Sequence, residues 1–109
     1  MRIKVAQQQV TYSGLTEAEI SRVKSYFAEH ERSFPFNGEL PSDTLGYRYK
    51  DCAVEVVDSK DSREVTFFGF PTFLVERADE AGLPTEGLLE RLRKESHRRN
   101  HRGFVGGEE

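Results

Sequence analysis

Residues 45–70 read LGYRYKDCAVEVVDSKDSREVTFFGF, and this stretch decides what kind of fold the chain can build. Residues 45–57 are rich in Tyr and Val, residues 63–70 in Phe, and the polar residues 58–62 lie between them. Two β-prone segments around a short polar connection predict an antiparallel hairpin. Alternation along the second segment sets Val65 and Phe67 on one face and Phe68 and Phe70 on the other. Both faces are then apolar, as in a strand covered on both sides or one whose second face meets a partner.

Upstream, residues 35–44 contain Pro35, Asn37, Gly38, Pro41 and Asp43 and read as a loop. Before that loop stands the strongest local signal in the chain. Thr16 followed three residues later by Glu19 predicts a capping box, with Leu15 and Ile20 as its hydrophobic staple. The apolar face of the predicted helix runs through Ile20, Val23, Tyr26, Phe27 and on to Phe34, and Pro35 ends it by about Phe34. Residues 2–12 read as one strand whose parity changes between Val5 and Val10, with a bulge or a strand end near the three glutamines.

Downstream, residues 71–82 read two ways: Phe73, Leu74 and Val75 suit an extension of the strand, whereas Pro71 and Gly82 bracket a short helix, which Leu74, Ala78 and Ala81 at helical spacing favour. A last helix is predicted from about Thr85 to Asn100. Its apolar stripe of Leu88, Leu89 and Leu92 stops there, so its end is expected to leave the core as a solvated extension. The predicted fold class is therefore α+β: a small antiparallel or mixed sheet of about three strands, in a ferredoxin-like arrangement, with helices on one face. One domain is expected over residues 1–103, followed by a short acidic tail over 104–109.

Composition agrees with a folded domain. The chain has 109 residues, 36% hydrophobic and 32% charged, with eight Phe and four Tyr. Large aromatics supply buried area that a disordered chain lacks. A single cysteine, Cys52, rules out an internal disulfide and the cysteine-rich zinc classes. Neither a signal peptide nor a membrane-spanning apolar run is present in the sequence, so a cytoplasmic, intracellular location is expected.

The charge is unevenly placed. Residues 1–90 carry ten basic and sixteen acidic side chains, whereas residues 91–102 carry six basic ones against Glu95. Cations at a helix C-terminus complement its dipole, but a cluster this dense also suits phosphates or an acidic patch on a protein. Residues 67–73, FFGFPTF, resemble in part the aromatic octapeptide of RNA-recognition motifs. Phe68, Gly69, Phe70 and Phe73 agree with it, while Thr66, Phe67 and Pro71 depart, and no aromatic occupies residues 3–8 where the companion strand would carry one. His97 and His101 stand at zinc-ligand spacing but make only half a site. Cys52 shares parity with Val54 and Val56 and reads as a small buried hydrophobe.

No phosphate-binding glycine loop, nucleotide fingerprint or paired-carboxylate motif is present in the sequence. The expectation is a non-enzymatic protein without cofactor or metal that docks on a protein partner as a small regulator, adaptor or inhibitor, a description that viral and mobile-element accessory proteins also fit. Its expected contacts are Arg91, Arg98, Arg99 and Arg102 on the basic helix and Tyr47, Tyr49, Phe68 and Phe70 on the sheet. The alternatives are a nucleic-acid binder using residues 91–102 and a small metal-dependent nuclease or hydrolase. The aromatic face would also serve a homodimer.

Overall fold

A computed structural model describes residues 1–30, 34, 35, 38 and 40–95. The chain forms β1 (Arg2–Ala6), β2 (Gln9–Ser13), α1 (Glu17–Glu29), β3 (Phe34–Pro35), β4 (Thr44–Arg48), β5 (Cys52–Asp58), β6 (Arg63–Gly69), α2 (Pro71–Glu80) and, over residues 88–95, α3. One six-stranded sheet has the order β1-β2-β6-β5-β4-β3, antiparallel at every pairing. The sheet thus has twice the expected number of strands, and neither mixed pairing nor a ferredoxin-like order is present among them.

The extra strands have a physical origin. The segment 2–12 is a hairpin, not a bulged strand: Ala6 pairs with Gln9, and Gln7 and Gln8 make the turn, Gln8 at φ 54°. The segment 45–57 is also two strands, which turn through residues 49–51. In both, side-chain parity switches across the turn, because two antiparallel partners must put their apolar residues on the same face. Leu45, Tyr47 and Tyr49 are odd; Cys52, Val54 and Val56 are even. The sixth strand, β3, is a two-residue pairing of Phe34 and Pro35 with Arg48 and Tyr47.

The starts of α1 and α2 form where the local chemistry predicts, whereas α3 begins at residue 88, three residues after the expected Thr85. Thr16 caps α1: the Glu19 N–H donates to Thr16 Oγ1 (3.1 Å) and the Thr16 N–H to Glu19 Oε1 (2.8 Å). The helix ends five residues earlier than its apolar spacing suggests, because His30 turns to an extended conformation and its Nδ1 reaches the Tyr26 carbonyl (2.9 Å). Phe34 therefore belongs to a strand edge and is 54% exposed. Pro71 opens α2, and Gly82 closes it at φ 89° with Leu83 N–H donating to Ala78 O and Gly82 N–H to Asp79 O. These two bonds satisfy carbonyls that the helix end leaves open.

One face of the sheet makes the core. Val10, Tyr12, Val54, Val56, Val65 and Phe67 are fully buried there, under Ile20, Val23 and Phe27 of α1, Leu74 of α2, and Leu88 and Leu92 of α3. The opposite face is partly exposed and mostly polar along the central strands, with Thr11 and Thr66 hydroxyls bonded across β2 and β6 at 3.1 Å. The parity of β6 is as expected, with Phe67 inward and Phe68 outward. No helix among the described residues is long and apolar enough to cross a membrane.

A charge cluster pins α1 to the sheet end. Lys24 Nζ lies 2.6 Å from Asp58 Oδ2, and Arg63 Nε 3.5 Å from Asp58 Oδ1. The hydrogen-bonded Lys24 ammonium holds the Asp58 carboxyl below its ordinary 3.8, against the opposing effect of burial. A carboxyl whose pKa is lowered by folding stabilises the fold above its unfolded pKa, and that stabilisation fades as pH falls through the folded value. Asp58→Asn is therefore expected to flatten the acid limb of stability, read as urea midpoints between about pH 5 and about pH 2.

Candidate functional site

The six-stranded frame brings two turns together at one end of β6, and a pair of exposed phenylalanines leaves from that point. Gly69 is the junction. Its N–H donates to the Gln8 carbonyl of the β1–β2 turn at 3.1 Å. A Cβ there would lie 3.1 Å from the Asp51 carbonyl oxygen and 3.2 Å from Cys52 Cβ, and its φ is 147°. Only glycine permits both the torsion and the approach. Phe70 follows as the N-cap of α2, its carbonyl accepting from the Leu74 N–H at 3.0 Å, with Pro71 fixing the first helical position. Phe70 is 62% exposed, and Phe73, on the first turn of α2, is 37% exposed. With Lys50 and Asp51 they line an open groove of ≈ 540 Å³.

Beneath the groove, Arg77 ties α2 to its surroundings. Its guanidinium lies 2.6 Å from Glu80 Oε1, 3.4 Å from Asp51 Oδ2 and 3.7 Å from Glu76 Oε1, and sits over the Tyr49 ring at 4.7 Å. The Tyr26 hydroxyl donates to the same Glu80 oxygen, linking α1 to α2. Burial, followed by that bond, pushes the Tyr26 phenol above its ordinary range. The cation is buried but met by carboxylates and an aromatic face, so Asp51, which lines the groove, is tied to α2.

Cys52 lies at the same end, buried and outside any disulfide. Burial, with the Asp51 carboxylate beside it, pushes its thiol up to about 12. The thiol is thus protonated at neutral pH, whereas a nucleophilic cysteine needs its thiolate. Among the described residues, no three His, Cys, Asp or Glu side chains form a group that could hold a metal ion.

The expected contact residues divide into three groups. Phe70 is exposed as anticipated, although it stands at a helix cap and not on the sheet face. Phe68 is half-buried on the open face, opposite Gln9 and Ala53. Tyr47 and Tyr49, in contrast, are 7% and 8% exposed and cannot serve as surface contacts. Phe27 of α1 stacks on Tyr47 at 5.6 Å and meets Tyr49 edge-on at 6.3 Å, so both belong to the core. Arg91 is exposed on α3 and donates to the Ile3 carbonyl at 3.4 Å. Arg98, Arg99 and Arg102, the histidines His97 and His101, the predicted helix extension past 95 and the tail over 104–109 lie outside the described residues.

The partial resemblance to RNA-recognition motifs does not carry over to this geometry. Of its matching aromatics only Phe68 lies on the open sheet face; Phe70 and Phe73 have already left the strand. Phe73 was legible as an aromatic beside Phe70 at helical spacing, and a helix begun at Pro71 places both on its first turn. Comparison with protein-family models, with curated proteins and with solved structures found no match to this chain.

Proposed function

We propose that the protein is a non-enzymatic binding module that docks on a protein partner through the Phe70–Phe73 groove, as a small adaptor or inhibitor. The observation that carries this reading is Phe70: a large aromatic side chain, mostly in water, on a backbone held by Gly69, Pro71 and the Arg77 cluster. An isolated exposed aromatic means little, but two beside an open groove on a rigid base match the anchors that dominate interface energies. Because the base is already ordered, docking incurs little conformational entropy. Lys50 and Asp51 give the rim both signs of charge, which favours orientation of a protein surface over capture of a polyanion.

Capture from the native host with the double variant Phe70→Ala/Phe73→Ala as bait tests this. The wild-type chain is expected to retain a discrete partner that the double variant loses by roughly a hundredfold in affinity, about 2–3 kcal/mol. Phe34→Ala, at the far edge of the sheet, should retain it. Equal capture by all three baits would refute the assignment, and nuclease treatment that removes the partner would transfer it to the nucleic-acid reading. The double variant should stay folded with a modest drop in urea midpoint, since Phe70 is mostly in water whereas Phe73 is partly covered.

A further inference from the structure

The two edges of the sheet are unlike. One ends on β3, two residues long and including Pro35, which blunts it against further pairing. The other ends on β1, five residues without proline. Arg91 donates to the Ile3 carbonyl, so that carbonyl faces away from β2. Alternation along the strand then puts the outward-facing N–H and C=O groups on Ile3 and Val5, while Arg2, Lys4 and Ala6 pair inward with β2.

Both walls of this edge carry two cations beside one carboxylate. Arg2 and Lys4 lie on the open-face side, where they line a groove of ≈ 450 Å³ with Thr11 and Glu64. Arg91 and Lys94 of α3 lie on the helix side, lining a smaller groove of ≈ 190 Å³ with Val5 and Glu95. Among the described residues no ion pair involves Arg2, Lys4 or Arg91; Lys94 meets Glu90 at 3.7 Å in an exposed pair, which contributes little.

We propose that the β1 edge takes an added strand: an acidic extended segment of a partner protein, with apolar side chains toward Val5 on the helix side and carboxylates toward Arg2 and Lys4 on the open face. Backbone bonds to Val5 and to the Ile3 N–H would supply affinity, with the Ile3 carbonyl shared with Arg91, and the charges would supply the choice of partner. A second copy of this chain fits poorly, because pairing β1 with itself sets Arg2 and Lys4 against their own likes on one face. A nucleic acid would meet the cations but leave the outward carbonyls facing phosphates. This surface is separate from the Phe70–Phe73 groove and stands or falls independently of it.

The test is an NMR titration of the full chain with two ten-residue peptide probes, one alternating valine and glutamate, the other valine and lysine. The acidic probe is expected to slow amide exchange at Ile3 and Val5 by roughly tenfold or more. It should bind about tenfold more weakly to Arg2→Glu/Lys4→Glu, and the basic probe should do neither. Val5→Pro removes an outward N–H without touching the β2 ladder and should abolish binding; if it fails to fold, the charge-reversed variant decides alone. Equal binding of both probes, binding without protection of Ile3 and Val5, or a dimer by sedimentation with these amides already protected would overturn the proposal. So would an oligothymidylate that displaces the acidic probe from these residues at equal concentration.

Discussion

Phe67→Ala is expected to remove about 3–5 kcal/mol of stability, the largest loss from any single substitution considered for this chain. Phe67 is fully buried at the middle of the sheet, between Val10 of β2 and Val54 of β5. It meets Tyr12 edge-on at 6.0 Å and Phe27 of α1 at 6.1 Å. The residue thus touches both halves of the sheet and the helix that covers them. Within the sheet, the β1–β2 hairpin pairs with the β3–β6 meander through β2 and β6, so a cavity there loosens the seam between them. A domain of this size has about 5–15 kcal/mol in total, so the variant should be marginal at room temperature. Urea denaturation followed by far-ultraviolet circular dichroism measures the loss. A loss under about 1.5 kcal/mol would mean that Phe67 is not at the seam.

The second large effect is expected at Arg77. Arg77→Ala leaves Asp51 and Glu80 without their cation and Tyr49 without the guanidinium over its ring. Breaking a buried pair from one side typically costs about 3–5 kcal/mol. Glu76 and Glu80 are about half exposed and regain water, so about 2–3 kcal/mol is expected here. Arg77→Lys should recover less than half, since a single ammonium cannot address three carboxylates as a planar fork does. The substitution also reaches the proposed docking surface through Asp51, which lines the groove. Faster amide exchange at Leu74, whose N–H bonds to the Phe70 carbonyl, would report that the α2 start has loosened. Unchanged exchange together with an unchanged urea midpoint would show that the cluster does not tie Asp51 to α2.

The sequence makes the helices of this protein more legible than its sheet, for a physical reason. Helix ends are marked by local chemistry: Thr16 with Glu19, Pro71, and Gly82 each act on the backbone within a few residues. The β5–β6 hairpin was equally plain, because residues 58–62 are polar and short. The other two hairpins turn through Gln7 and Gln8 and through residues 49–51, without glycine, proline or asparagine. Only the parity switches betray them, and the second, between Tyr49 and Cys52, is as clear as the first. Strand β3 had no local signal; Phe34 and Pro35 pair because β4 is already in place beside them.

The candidate site was half legible for related reasons. Phe70 stood out as an aromatic on a predicted strand, but its exposure comes from Gly69 ending that strand and Pro71 starting a helix. Tyr47 and Tyr49 look identical to surface aromatics in sequence. Their burial depends on the Phe27 ring of α1 covering that end of the sheet, a contact between residues twenty and more positions apart.

The proposed docking role rests on the Phe70–Phe73 groove meeting another protein. A photo-reactive phenylalanine analogue placed at Phe73 and irradiated in the native host measures that contact at the groove itself. The same analogue at Ala28, exposed on α1, is the control. One discrete adduct to a different polypeptide at Phe73 and none at Ala28 is the predicted result. No adduct at Phe73, or the same adducts from both positions, would contradict it.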